Sequence, residues 1–355
     1  MRRLLLFILM LLPLLALESR PDLDDPSLTP EQREELIERQ EDLWNMDKRP
    51  VSLTAMREGM LEPIVQTVIG GRAETLTFES LQLSVPEGAF RKGRRIRIAA
   101  IVLDRPEDFV FSPVPMVLQT GELLESTGMF RLSFTDESGR PVRPLQPLSA
   151  SMPAVSGSDQ ARVYRYTGSA WQEVARSAQP SRAPTSLQEG EANPFGQAPA
   201  DPNTVVNPAN PSDCWEGCGF QIYDRIDSEQ WWNFDIPKPD FTCVAVEVDA
   251  SLEGFEVQAA GVSYQGISYG IRSGNVVQLN MLKNKEVKIW ALQRRGQSTV
   301  AIGSLPVLRS PDVTAHTKSK GGCRIVGRIE MKPLPVTTVM KKREAFLKAI
   351  NWPGY

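Results

Sequence analysis

Residues 81–102 read LQLSVPEGAFRKGRRIRIAAIV, and their periodicity decides the fold. Leu81, Leu83 and Val85 alternate with Gln82 and Ser84, the period of two expected of a half-buried strand. Pro86 ends that strand because it has no backbone N–H to give to a ladder. A turn containing Gly88 and Gly93 follows. Ile96, Ile98, Ala100 and Val102 then place an apolar face on a second strand, and Arg95 and Arg97 point the other way.

The pattern continues in both directions, from Gln66 to about Val174. Phe130, Leu132 and Phe134 repeat the alternation, and Asp136-Glu137-Ser138-Gly139 is a turn. Arg162 to Tyr166, Thr167-Gly168-Ser169 and Trp171 to Val174 read as a hairpin. Short strands at this spacing predict a β-sandwich. A second set begins after Cys214: Phe241 to Val248 (FTCVAVEV), Phe255 to Ala259 after the turn at Glu253-Gly254, Val276 to Met281, Val287 to Leu292 and Arg324 to Ile329. Between the sets, residues 176–213 carry Pro180, Pro184, Pro194, Pro199, Pro202, Pro208 and Pro211 among Ser, Ala, Asn and Gln. With so little apolar surface to bury, the stretch reads as a linker or long loop at which limited proteolysis separates the domains.

The expected fold is therefore mainly β: two β-sandwich domains joined by a Pro-rich linker, with short N- and C-terminal helices. The boundaries are 1–19 for a signal peptide, 20–60 for an N-terminal helical segment, 61–175 for the first sandwich, 176–213 for the linker, 214–335 for the second sandwich and 336–355 for a basic C-terminal helix and tail.

Arg2 and Arg3 precede an unbroken apolar run, Leu4 to Leu17 (LLLFILMLLPLLAL), which Glu18, Ser19 and Arg20 end. The run is shorter than the roughly 20 residues a membrane-spanning helix needs, and it has the length of a signal-peptide core. Cleavage is expected near Ala16 to Ser19, leaving a mature chain without a transmembrane span. The protein is thus expected to be exported, to the periplasm, the outer-membrane surface or the medium. Thr29 then caps a helix that runs to about Trp44, with Pro30 in its first position and Gln32 completing a capping box. Leu36, Ile37, Leu43 and Trp44 form its thin apolar stripe. Lys341 to Ile350 (KKREAFLKAI) reads as a basic helix with Phe346, Leu347 and Ile350 on one side.

The 355 residues are 41% hydrophobic, enough to fill ordinary cores. The net charge of −3 gives no reason to expect nucleic acid as a partner. Four cysteines in an exported chain favour disulfides over zinc, since two CxxC pairs are lacking and His316 is the only histidine. Three pairings are possible. The expected one joins Cys243 to Cys323, in or beside strands of one domain, and Cys214 to Cys218 across a short loop. No metal cage, phosphate loop or dinucleotide fingerprint is present, so no metal or cofactor is expected.

Two segments carry a family likeness. Leu83-Ser84-Val85-Pro86-Glu87-Gly88-Ala89-Phe90 is a strand ending in a Pro-x-Gly-Ala turn, and Ser126-Thr127-Gly128-Met129-Phe130 runs on to Phe134-Thr135-Asp136-Glu137-Ser138-Gly139. Both resemble the ZU5-like modules of exported bacterial cell-envelope proteins and, more remotely, of ankyrin-type and netrin-receptor proteins. The region with Trp231-Trp232-Asn233-Phe234-Asp235-Ile236-Pro237 looks like the β domain that often follows. The likeness covers about residues 65 to 330 and implies a sandwich fold. Some ZU5 relatives cleave themselves at a His-Phe-Ser site. Here His316 lies outside the module, so self-cleavage is not implied.

Three constellations are candidate sites. Gly266-Ile267-Ser268-Tyr269-Gly270 matches GxSxG, and Asp312 and His316 follow in hydrolase order. The motif needs a strand-to-helix turn, whereas Ile271 to Leu279 is not helical, so Ser268 reads as a β-turn serine. Trp231, with Asn233 and Asp235, could stack a sugar while Trp232 and Phe234 enter the core on the opposite face. Arg91, Lys92, Arg94 and Arg95 form a basic cluster, either a solvated turn or a contact for an anionic envelope polymer. The reading as a whole is a non-enzymatic, exported binding or assembly module whose partner is an envelope protein or polysaccharide. The alternatives are a secreted serine hydrolase using Ser268 and a carbohydrate-binding module using Trp231.

Overall fold

The alternating segments do form strands with their apolar faces inward. The computed structural model describes Thr29 and residues 53–155, 160–175, 179–181, 220–248, 254–295, 298–314 and 323–355. The first sandwich is built from β1 (Ile64–Ile69), β2 (Glu74–Phe78), β3 (Leu81–Val85), β4 (Arg95–Leu103), β5 (Leu123–Asp136), β6 (Leu148–Pro153), β7 (Arg162–Tyr166), β8 (Trp171–Ala175), β9 (Gln179–Ser181), β10 (Phe220–Ile226) and β11 (Trp231–Lys238). These strands pair antiparallel into two sheets, ordered β1-β4-β5-β11-β7-β8 and β2-β3-β6-β10-β9. Phe78, Leu83, Ile98, Phe130, Phe134, Trp232 and Phe234 belong to the core between them.

The second sandwich comprises β12 (Phe241–Val248), β13 (Phe255–Gly261), β14 (Ile267–Tyr269), β15 (Ile271–Ser273), β16 (Val276–Leu282), β17 (Glu286–Arg295), β18 (Thr299–Ser304), β19 (Leu308–Arg309), β20 (Arg324–Ile329) and β21 (Lys332–Pro335). Its sheets are β15-β16-β12-β20 and β14-β13-β17-β18-β21, with β19 against β17. Val244, Val246, Leu279, Met281 and Ile289 fill the space between them. β20 pairs parallel with β12. Cys323, just before β20, is bonded to Cys243 on β12, with Cα atoms 5.4 Å apart. Cys214 and Cys218, the signal peptide and the helix expected from Thr29 to Trp44 lie outside the described residues.

The domain boundary differs from the expectation at 213/214. β10 pairs with β6 and β9, and β11 pairs with β5 and β7. The first sandwich thus draws strands from both sides of 176–213 and ends at Lys238, and the second begins at Phe241. Residues 179–181 within the expected linker are themselves strand β9. A cut between 182 and 213 would leave paired strands on both sides rather than two separate domains.

A third core joins the sandwiches. Residues 51–295 and 299–355 form one compact unit, and a second unit, 1–50 with 296–298, has Thr29 and Ser298 as its described residues. Within the first unit, Met129, Tyr164, Trp171 and Trp231 face outward from the first sandwich and share a buried cluster with Trp290, Leu292, Val300 and Ile302 of the second. Helix α1 (Leu53–Glu58) and the 3-10 turn Pro106–Phe111 supply Leu53, Phe109 and Phe111 to it. The C-terminal helices α2 (Val336–Val339) and α3 (Arg343–Ala349) add Val339, Phe346 and Leu347. The apolar side read from the C-terminal sequence is therefore docked, and Ile350 is fully buried.

Polar groups stitch the same seam. The buried Arg57 guanidinium donates to Val110 O at 3.0 Å, and Tyr269 Oη donates to Ser112 O at 2.8 Å. Ser126 N–H donates to Gln265 O at 2.9 Å, and Met116 N–H to Ile267 O at 3.1 Å. Main-chain bonds across the seam fix orientation in a way that apolar contact alone does not. Among the described residues no helix is long and apolar enough to cross a membrane.

Candidate functional site

β11 lies between β5 and β7, deep in its sheet. Its alternation sends Trp232 and Phe234 into the first sandwich core, as expected. The opposite face is not open. Trp231 is 6% exposed, and Asn233 and Asp235 are 0% exposed. The second sandwich and its helices cover that face, so these three residues present no aromatic plate to a ligand. Asn233 Oδ1 instead accepts the Ser126 hydroxyl at 2.7 Å, and its Nδ2 lies 3.5 Å from Met116 Sδ.

Asp235 is the unusual member. Among the described residues neither carboxylate oxygen has a hydrogen-bond partner by geometry; the nearby Ser126 hydroxyl donates to Asn233 and only partly offsets the effect of burial on Asp235. Burial disfavours the charged form and pushes the Asp235 pKa well above its ordinary value of 3.8. The folded chain therefore keeps a proton that the unfolded chain releases, and stability falls as pH rises above about 4 toward the folded-state value. Asp235→Asn is expected to raise the melting temperature by a few degrees at pH 7 and to change little at pH 3. Thermal melts of both proteins across that range check this; an Asp235→Asn protein that melts lower at pH 7 would contradict it.

Ser268 is not on an elbow. It sits inside β14, opposite Ala259, with its hydroxyl buried and without a hydrogen-bond partner among the described residues. A Cβ on Gly270 would lie 2.2 Å from Val277 Cγ1, so close packing accounts for the last glycine of the motif. Asp312 is exposed, and His316 lies outside the described residues. Among the described residues no three His, Cys, Asp or Glu side chains are grouped to hold a metal.

The basic cluster has a different setting. The β3–β4 turn and the segment from Asp136 to Leu145 meet at one end of the first sandwich, where Leu145 N–H donates to Ala89 O at 2.7 Å. Gly93 and Gly139, with φ of +73° and +78°, allow the two tight turns that shape this end. Between the turns is a cleft of about 310 Å3. Phe90, Ile96, Val142 and Leu145 line it with apolar surface, and Arg91, Arg94, Arg140 and Arg143 with guanidinium groups. The Phe90 ring packs on Phe134 at 5.8 Å, which fixes the floor. Leu145 is 64% exposed at the rim.

One carboxylate faces the four arginines. Asp136 is held by Arg140 at 3.0 and 3.2 Å. The Ser138 hydroxyl above all, then the Arg140 and Ser138 amides and the Arg140 side chain, lower the Asp136 pKa to about 2. That pair closes on itself. The guanidinium groups of Arg91, Arg94 and Arg143 make no ion pair or side-chain hydrogen bond among the described residues, and all three residues are exposed. A larger hollow of about 470 Å3 lies over Thr75, Ser84 and Ser149, but Glu74 and Asp224 stand at it and no cation lines it.

Arg91 and Arg94 were legible as part of a charge cluster. Arg140 and Arg143 were missed because they lie some 45 residues further on, and only the meeting of two turns brings the four together. No protein-family model matches the chain, and no curated protein matches it either.

Proposed function

We propose that the protein is an exported, non-enzymatic binding or assembly module that holds an anionic envelope partner in the arginine cleft. The observation that carries this reading is the set of three unpaired guanidinium groups over an apolar floor. Guanidinium forks suit carboxylates and phosphates, and an apolar floor suits a ring or chain attached to them. The buried hydroxyl of Ser268 favours binding over hydrolysis, and the buried Trp231 moves the site away from β11. The ZU5-like likeness and the leader-type N-terminus remain the grounds for placing the module in the periplasm, at the outer-membrane surface or outside the cell.

Retention on an immobilised acidic polysaccharide tests the reading. The net charge of −3 opposes non-specific adsorption to a polyanion, so retention must come from a local patch. The wild-type chain is expected to be retained at low salt and released as salt screens the contact. The Arg91→Gln/Arg94→Gln/Arg143→Gln protein is expected to flow through, as is wild type on neutral dextran. Equal retention of both proteins would overturn the cleft as the site. A serine-directed fluorophosphonate is expected to leave Ser268 unlabelled, and labelling there would favour the hydrolase.

A further inference from the structure

We propose that the ligand is a linear acidic polysaccharide that leaves the cleft and continues along the outer face of β4. The proposal rests on the cleft being the binding site and adds what lies beyond it. Alternation turns Arg95 and Arg97 out of the sandwich, directly after the cleft residue Arg94. Across the ladder Arg97 lies between Thr67 of β1 and Thr135 of β5, and Ala99 lies between Val65 and Ser133. Arg97 is exposed and makes no ion pair among the described residues. Arg95 has Glu137 at 3.8 Å, but their side chains are 66% and 70% exposed, so water screens the pair.

This end of the sheet face is open. Val65 and Ile69 on the neighbouring edge strand are 42% and 36% exposed. Arg95 and Arg97 are on the outward face, about 6.6 Å apart, and Ile96 between them lines the cleft from the inward face, so a chain reaches both stretches by passing over the start of the strand at Arg94. A monovalent anion would engage the cleft alone, whereas a chain with repeated charges engages both stretches. Two features favour a polysaccharide over bare polyphosphate. The half-buried Val142 and the exposed Leu145, over a floor set by the buried Phe90, can take the C–H face of a sugar ring. The hydroxyls of Thr67, Ser133 and Thr135 stand beside the strand cations, where sugar hydroxyls would reach them.

Titration of the full chain with polygalacturonate, with its short oligomer and with inorganic polyphosphate tests this. Arg97→Gln and Arg143→Gln alter exposed side chains, and unchanged melting temperatures will show that both proteins fold. Each substitution is expected to weaken polymer binding about fivefold at low ionic strength. Arg143→Gln alone is expected to weaken the oligomer. If Arg143→Gln weakens the polymer and Arg97→Gln does not, the track is overturned while the cleft stands. If neither weakens it, both readings fall. Polyphosphate binding as tightly as polygalacturonate would overturn the assignment to a polysaccharide.

Discussion

Trp231→Ala and Trp232→Ala are each expected to destabilise the protein by about 3–5 kcal/mol, the usual cost of emptying a buried aromatic site. The two side chains lie on opposite faces of one strand, and both faces are covered. Trp232 is 1% exposed, and its ring lies 5.5 Å from that of Tyr223 inside the first sandwich. Its indole N–H reaches Ser228 O at 3.4 Å. Trp231 belongs to the seam cluster with Trp171 and Trp290. The variants should therefore fail differently. Trp232→Ala opens the core of the first sandwich, and Trp231→Ala loosens the contact between sandwiches. Urea unfolding gives the magnitude, and near-ultraviolet circular dichroism reports the loss of ordered aromatic packing. A Trp231→Ala protein as stable as wild type would return that ring to the surface and restore it as a binding plate.

Removing the Cys243–Cys323 bridge is expected to cost about 4 kcal/mol. The bridged residues are 80 apart in sequence, and closing a loop of that length restricts the unfolded chain strongly. The bridge also sits where β20 joins β12 in parallel, a pairing that a short hairpin cannot supply. The Cys243→Ser/Cys323→Ser protein avoids leaving a single reactive partner. Its unfolding midpoint in urea should fall well below that of oxidised wild type, and reductant should lower wild type by far more than it lowers this protein. If reductant leaves wild-type stability unchanged, or peptide mapping finds Cys243 and Cys323 as free thiols, the bridge is excluded.

The strands were legible because most have one apolar and one polar side. β3 and β4 show this plainly: Leu81, Leu83, Val85, Ile96 and Ile98 are buried, and Ser84, Arg95 and Arg97 are exposed. Strand partners were not legible. Alternation states which way Trp232 points but not that β11 inserts between β5 and β7 from beyond residue 213. That pairing is long-range, and a proline-rich interruption resembles a domain boundary whether or not the chain returns to the same sheet. The sequence did hold one warning. WWNFDI has large or apolar residues on both sides of the strand, which is the composition of a strand covered on both faces. Asp235 within that run concealed it, because a carboxylate is ordinarily taken to mark the solvent side.

The candidate site was half legible for a related reason. The RKGRR run identified one wall of the cleft, and the turn DESGR identified the other only as a turn. Charge read along the chain does not reveal that two turns share one end of a sandwich. GxSxG misled in the opposite sense, since three small residues at fixed spacing also satisfy the close packing of a small strand.

Backbone hydrogen exchange of the full chain with and without polygalacturonate tests the central claim most directly. Binding at the arginine cleft predicts added protection in the β3–β4 turn, 86–94, and in the segment 137–145, with none at 231–235. Protection centred on 231–235, or no change in either turn under conditions where the polymer is bound, would contradict it.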